Sequence, residues 1–282
     1  MKRVLLSVLA HPDDESFGMG GTLAKYAADG AEVYLICATR GEAGEVDPEF
    51  MEGHGSIAEL REGELMCAIK ELGIHSPYLL PYRDSGMNGS EDNQHPQALI
   101  NAVLEQVAGE IAEYIREIKP QVVLTFDPIG GYKHPDHIFI HQAATRAFSL
   151  AGDSDFKSTS PVFQPSRLFY HTIPKYFLRF NVRLLKLLGK DPTKYGKNKD
   201  IDLTQLSTEF PVHARIDYRA VSEKKSAAAQ CHTSQGGGGL TRGYMRWLAW
   251  LLGARSDDSF MQAAPEPVNS QLITDLFSGL EG

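Results

Sequence analysis

Two short stretches hold most of the residue types that bind a metal or move a proton, "HPDDE" at 11–15 and "HPDH" at 134–137. In the first, Asp13, Asp14 and Glu15 crowd three carboxylates beside His11. Like charges this close repel, and desolvating them is costly unless something positive sits among them. A solvated acidic patch is one reading and a metal ion is the other. His11, Asp14 and His137 make a set of two histidines and one carboxylate, three protein ligands that leave a position open as in catalytic zinc sites. The same donors bind iron(II) in oxygenases, which is a rival class for the same residues. Asp13 then remains free to take a proton from an activated water. Each motif by itself also reads as a helix cap, since Pro suits the first helical turn and Asp the N-cap.

Function requires the two motifs to meet, and the pattern of elements predicts that they do. "VLLSVLA" (4–10) reads as a strand buried on both faces, the habit of parallel sheets. A helix from Gly20 to Gly30, a strand at 32–40, a helix at 56–72 closed by Gly73 and a short strand in "PYLLPY" follow. A long helix at 96–118 stops at Pro120, "QVVLTFD" (121–127) is a fourth strand, 135–151 a further helix and 167–173 a fifth strand. The alternation predicts an α/β Rossmann-like open sheet, mostly parallel, of order 3-2-1-4-5 with helices on both faces. In that order the first and fourth strands are neighbours at the reversal point, where ligands bind beyond the strand ends. Both motifs stand there.

One catalytic domain over 1–282 is expected, with the Rossmann-like core at 1–173 and C-terminal additions of helix, strand and cap at 174–282. The linker "KYGKNKDID" (194–202), a strand within "VHARIDYRAV", a helix at 218–231, a "GGGG" loop (236–239) and a helix at 241–253 fill that second part. The formal charge of −8 argues against a nucleic-acid partner. "MKRVLLSVLA" is too short for a signal peptide, and no run is long enough to span a membrane. Cys37, Cys67 and Cys231 lack CxxC spacing and read as reduced thiols of a cytoplasmic protein, the first two as core filler.

"AHPDDES" (10–16), "RGEAG" (40–44), "REGE" (61–64), "YRDSGM" (82–87), "GGYKHPDH" (130–137) and "KSAAAQCHTSQ" (225–235) together resemble the LmbE-like (PIG-L-type) zinc-dependent de-N-acetylases. The pattern is most similar to members that deacetylate a GlcNAc-inositol in mycothiol biosynthesis and to the related conjugate amidases. The resemblance implies a zinc hydrolase that removes acetyl from an N-acetylated sugar, or an amidase acting on a larger amide such as a thiol conjugate. It implies His11, Asp14 and His137 as ligands, Asp13 as general base, and His134 as general acid or oxyanion stabiliser oriented by Asp136. It puts Tyr132 against the substrate and Arg61 and Asp84 on sugar hydroxyls, with Glu15 and His232 lining the same site. Lys133 stands where glycine is common in the family.

"GMGG" (18–21) lacks the third glycine of a dinucleotide fingerprint, and nearby carboxylates repel a pyrophosphate, so its glycines are expected to serve close helix packing. The stretch 175–190 predicts an amphipathic helix, with Lys175, Arg179, Arg183, Lys186 and Lys190 on one side. Phe177, Phe180, Leu184, Leu187 and Leu188 lie opposite. A basic stripe can dock on anionic lipid, but one apolar face is routine in soluble domains, and a lid or a homo-oligomer contact is the expectation.

Overall fold

The computed structural model describes residues 2–173, 182–187, 189–194, 202–204, 209–237, 256–267 and 271–280. Strands β1 (Val4–Leu9), β2 (Glu32–Cys37), β3 (Tyr78–Leu79), β4 (Val122–Phe126) and β5 (Arg167–Thr172) pair in parallel in the order 3-2-1-4-5. β1 and β4 lie side by side, Leu5 opposite Val122 and Ser7 opposite Leu124. Every residue of β4 and all but the first of β1 are buried, which is why both read as unbroken apolar runs. Two more strands, β6 (Ala214–Asp217) and β7 (Asp257–Ala264), extend the same sheet, with β7 inserted antiparallel between β5 and β6. β7 was not foreseen: it opens on two aspartates, and its partners, β5 and β6, both lie forty or more residues away in the chain. The C-terminal region is thus built into the sheet.

Short α1 (Asp14–Phe17) and α2 (Gly20–Ala28) follow β1, and α3 (Ile57–Leu72) follows β2. The Ser56 hydroxyl accepts the Glu59 N–H to start α3, and Gly73 in the left-handed region ends it. α4 (Leu104–Ile118) precedes β4, while α5 (Gly130–Lys133) and α6 (Pro135–Gly152) follow it; α7 is Ser222–Cys231. α4 packs on α6, and α2 and α3 pack on α7, giving a helical layer on each face of the sheet as right-handed crossovers running in opposite directions require. α4 begins at Leu104 rather than near 96, because Arg83 and Ala98 form a bridge and the Leu99 N–H donates to the Arg83 carbonyl, holding 96–103 out of the helix. No helix among the described residues is long and apolar enough to cross a membrane.

Cys67 and Cys231 form a disulfide between α3 and α7, and only Cys37 is free and buried. The expectation of three reduced thiols is corrected, and with it goes the argument from cysteine usage for a reducing compartment. The bond spans 164 residues, which no local spacing announces. Gly21 fits its expected packing role against a different neighbour: a Cβ there would strike the Tyr218 ring, just beyond β6. Of the expected 175–190 helix, residues 175–181 and 188 lie outside the described residues, as do 195–201 of the linker and the whole 241–253 helix. Residues 182–187 are helical, and Val182 and Leu185 pack with Tyr132 and Ile173 around Leu203. Leu187, on the side opposite the basic stripe, is 84% exposed.

Arg116 on α4 is 2% exposed and reaches no carboxylate among the contacts of its guanidinium; it donates to the carbonyls of Leu150, Ala151, Asp153, Phe156 and Ser160 around the end of α6. A cation there meets the negative end of the helix dipole and satisfies terminal carbonyls that would otherwise be buried unpaired. Arg116→Ala should cost at least about 3 kcal/mol of unfolding free energy in urea titration. A loss below about 1 kcal/mol would show that water serves those carbonyls equally well.

Candidate active site

β1 ends at Leu9 and delivers His11, Asp13 and Asp14 just beyond its carboxyl end; β4 ends at Phe126 and delivers His134, Asp136 and His137 at the start of α6. The second loop is shaped by Asp127, whose Oδ1 accepts the N–H groups of Ile129 and Gly131 at 3.0 and 2.9 Å. His134 caps α6, its Nδ1 accepting the Asp136 N–H at 3.2 Å, with Pro135 in the first turn. Capping is therefore real here, and it coexists with convergence of the two motifs.

His11, Asp14 and His137 close on one another. His11 Nδ1 lies 3.2 Å from His137 Nε2 and 3.5 Å from an Asp14 oxygen, and the other Asp14 oxygen lies 3.2 Å from His137 Nε2. Donors about 2.0–2.1 Å from a tetrahedral zinc stand about 3.4 Å apart, so this donor set and its spacing fit such an ion. Across the ring, His11 Nε2 faces Asp136 Oδ2 at 3.1 Å and Asp84 Oδ1 at 3.4 Å. A proton held on Nε2 by these carboxylates leaves Nδ1 as a lone-pair donor, the arrangement that orients metal-binding histidines. Phe126 stacks on the His137 ring at 3.9 Å and closes its other side. His134 belongs to the same cluster, a ring nitrogen lying within 4.8 Å of those of His11 and His137.

Electrostatics follow from burial and neighbours. Burial works against charge on His11, but Asp84, Asp136 and Asp14 outweigh it and hold its pKa well above the usual imidazole range. Burial, reinforced by the imidazoles of His11 and His137, holds His134 well below that range. Asp13 is raised to about 6 chiefly by burial, against the opposing pull of Arg61. Burial also pushes the Tyr132 hydroxyl well up, with Asp14 adding to it. The Tyr132 ring stands edge-on to His137 and His134, centroids 5.0 and 5.8 Å away.

The four residues expected on the substrate are buried and have partners within the protein. Arg61 is 3% exposed; its guanidinium donates to the carbonyls of Pro12 and Gly41 and to Asp13 Oδ2 at 3.0 Å. Asp84 is buried between His11 and the Gly86 N–H, 2.8 Å away. Glu15 and His232 are fully buried and bond each other at 2.7 Å. The expected orienting of His134 by Asp136 runs through the backbone. Asp136 Oδ2 serves His11 and the Ser85 N–H while Oδ1 has no partner; His134 is oriented by the Asp136 backbone N–H. Glu64, quoted above only within "REGE", proves to anchor the C-terminal motif by accepting from Ser234 N–H, Ser234 Oγ and Thr233 Oγ1. Lys225 of that motif donates to the Gly18 carbonyl and to Asp258, bracing the end of α1.

Comparison with known proteins decides the family. The profile of the PIG-L, GlcNAc-PI de-N-acetylase, family matches residues 6–148. The chain is 37% identical over 244 residues to a 1D-myo-inositol 2-acetamido-2-deoxy-alpha-D-glucopyranoside deacetylase of Streptomyces avermitilis, covering 83% of each chain. The chain belongs to the PIG-L de-N-acetylase family. A Thermobifida fusca protein of the same name is 38% identical over 243 residues, again with 83% of each chain covered. Among solved structures, the N,N'-diacetylchitobiose deacetylase of Pyrococcus horikoshii superposes with a TM-score of 0.63 at 21% identity, over 92% of this chain and 83% of that one. That likeness establishes a shared fold; the PIG-L assignment stands on the sequence matches.

Lys133 stands where the resemblance leads one to expect glycine. It is exposed, with φ 69°, in the left-handed region where glycine is at ease. Lys133→Gly should raise unfolding free energy by about 0.5–1 kcal/mol, the relief of the left-handed conformation less the extra freedom of the unfolded chain. Chemical denaturation measures this, and a loss of stability would show that the lysine side chain makes up for its backbone.

Proposed function

We propose that this PIG-L family member is a zinc-dependent hydrolase that removes the acetyl group from an N-acetylglucosamine-type sugar, with GlcNAc-inositol as its preferred substrate. The mutual approach of His11, Asp14 and His137 carries the reading, and the identity to the GlcNAc-inositol deacetylases supports the substrate. These three residues would hold a divalent cation, zinc by donor type, whose Lewis acidity acidifies water and polarises an amide carbonyl. Asp13, adjacent in sequence to Asp14 and held by Arg61, takes the proton from water and returns it to the departing amine. His134 presents its protonated Nε2, since Nδ1 is occupied by the Asp136 N–H, and donates where negative charge develops on the carbonyl oxygen. The Tyr132 hydroxyl is the second donor to that oxygen.

Free amine released from GlcNAc-inositol, N-acetylglucosamine and a thiol-conjugate amide should rank them in that order for the zinc-loaded protein. A chelator should abolish the activity and zinc restore it; full activity without metal, or no amine from any of the three, overturns the proposal. Asp13→Asn should keep the metal and lower turnover by about 10²–10⁴-fold, whereas His137→Ala should release the metal. Because its carboxylate serves His11, Asp136→Asn should weaken zinc affinity by about 10–100-fold in competition with a chromophoric chelator. Unchanged zinc affinity would mean the His11–Asp136 contact does not tune the ligand.

A further inference from the structure

Asp13 has φ 121° and ψ −28°, a backbone conformation that L side chains avoid. Such a residue keeps its geometry only where its surroundings over-determine it. Arg61 holds the side chain at Oδ2, 3.0 Å away. The backbone is held separately: the Asp13 N–H donates to Glu15 Oε2 at 2.9 Å. Glu15 is fully buried, and its other oxygen accepts from Ser16 Oγ at 2.6 Å and faces His232 Nε2 at 2.7 Å. His232 comes from the far end of α7, 217 residues away, and is itself fully buried. Its Nδ1 has no hydrogen-bond partner, so the bond from Nε2 is the whole polar contribution of its side chain.

His232 is fixed on both sides of the chain by α3. Before it, Cys231 is bonded to Cys67; after it, Thr233 and Ser234 are held by Glu64. Arg61, Glu64 and Cys67 recur every third residue, so one stripe of α3 carries both the Asp13 side-chain contact and the anchors of the His232 segment.

We propose that His232 is a positioning residue for Asp13, acting through Glu15, and that it does not touch the substrate. This rests on Asp13 being the general base. Without the imidazole, Glu15 keeps Ser16 Oγ but loses the one partner that comes from outside its own turn, its hold on the Asp13 N–H loosens, and the Asp13 backbone relaxes toward an ordinary conformation. The carboxylate then moves off the position from which it reaches the water. A misplacement of this kind costs about 10²-fold in rate without loss of binding.

The test uses the zinc-loaded full chain and GlcNAc-inositol. His232→Ala should lower kcat by about 10²-fold, leave KM within about threefold, and leave one zinc per chain. His232→Gln, which carries an amide donor to similar reach, should recover most of that loss. In an Asp13→Asn background His232→Ala should cost less than about threefold, because the group it positions is gone. Independently of activity, amide hydrogen exchange over residues 11–17 should quicken by about tenfold or more in His232→Ala and stay slow in His232→Gln. If His232→Ala fails to fold, His232→Asn, too short to reach Glu15, makes the same comparison. Equal losses in both backgrounds, a glutamine no better than alanine, or unchanged exchange over 11–17 overturns the proposal. Should the wild type release no amine from GlcNAc-inositol, the functional reading fails, and the exchange comparison still decides whether His232 holds the Asp13 backbone.

Discussion

Five carboxylates, Asp13, Asp14, Glu15, Asp84 and Asp136, converge on the crevice beyond β1 and β4, and the rest of the structure depends on keeping them there. At about 4 Å and an effective dielectric near 20, each unanswered like-charge contact costs about 4 kcal/mol. The molecule answers them one by one. Asp13 is given Arg61, Glu15 is given His232, and Asp14 faces His11 and His137, while Asp84 and Asp136 share His11. One guanidinium and a few imidazoles do not balance five negative groups if the ligand histidines stay neutral. The proposed dication among His11, Asp14 and His137 would complete the balance, and the same arrangement leaves Asp13, paired with Arg61, as the carboxylate not committed to an imidazole.

The fold supplies this convergence through a few decisions. β1 and β4 are adjacent and parallel, so the loops that leave them open on the same edge of the sheet. The chain then turns in opposite directions, toward β2 from one and β5 from the other, and the loops part to leave a crevice. α3 and α7 lie against each other beside that crevice and lend it residues remote in sequence. α4 and α6 do the same structural work on the opposite face, where buried Arg116 closes the end of α6 whose beginning carries His134 and His137.

What was legible in the sequence was whatever is encoded locally. Apolar runs announced β1 and β4, Gly73 announced the end of α3, and the two HPD motifs announced a site at neighbouring strand ends. Partners were not legible, because direction is decided by tertiary contact. Nothing local tells that the Asp136 carboxylate turns toward His11, or that Arg61 points at Asp13 rather than at solvent. Glu15 and His232 read as polar residues of a binding site, yet the sheet and α7 seal them completely. The Cys67–Cys231 bond and strand β7 were missed for the same reason: each exists only once distant segments are packed.

Reading "HPDH" as a helix cap and reading it as chemistry began as alternatives, and the geometry unites them. The Asp136 N–H would be one of the unsatisfied donors at the start of α6. It finds His134 Nδ1, so that nitrogen must present a lone pair. Burial and the neighbouring imidazoles keep the ring neutral, and its proton therefore resides on Nε2. The cap thus selects the tautomer able to donate a hydrogen bond into the crevice. One residue later Pro135 sets the first turn, and one turn of helix places Asp136 against His11 and His137 against Asp14. Terminating the backbone correctly and arming the site are one requirement, met by four consecutive residues.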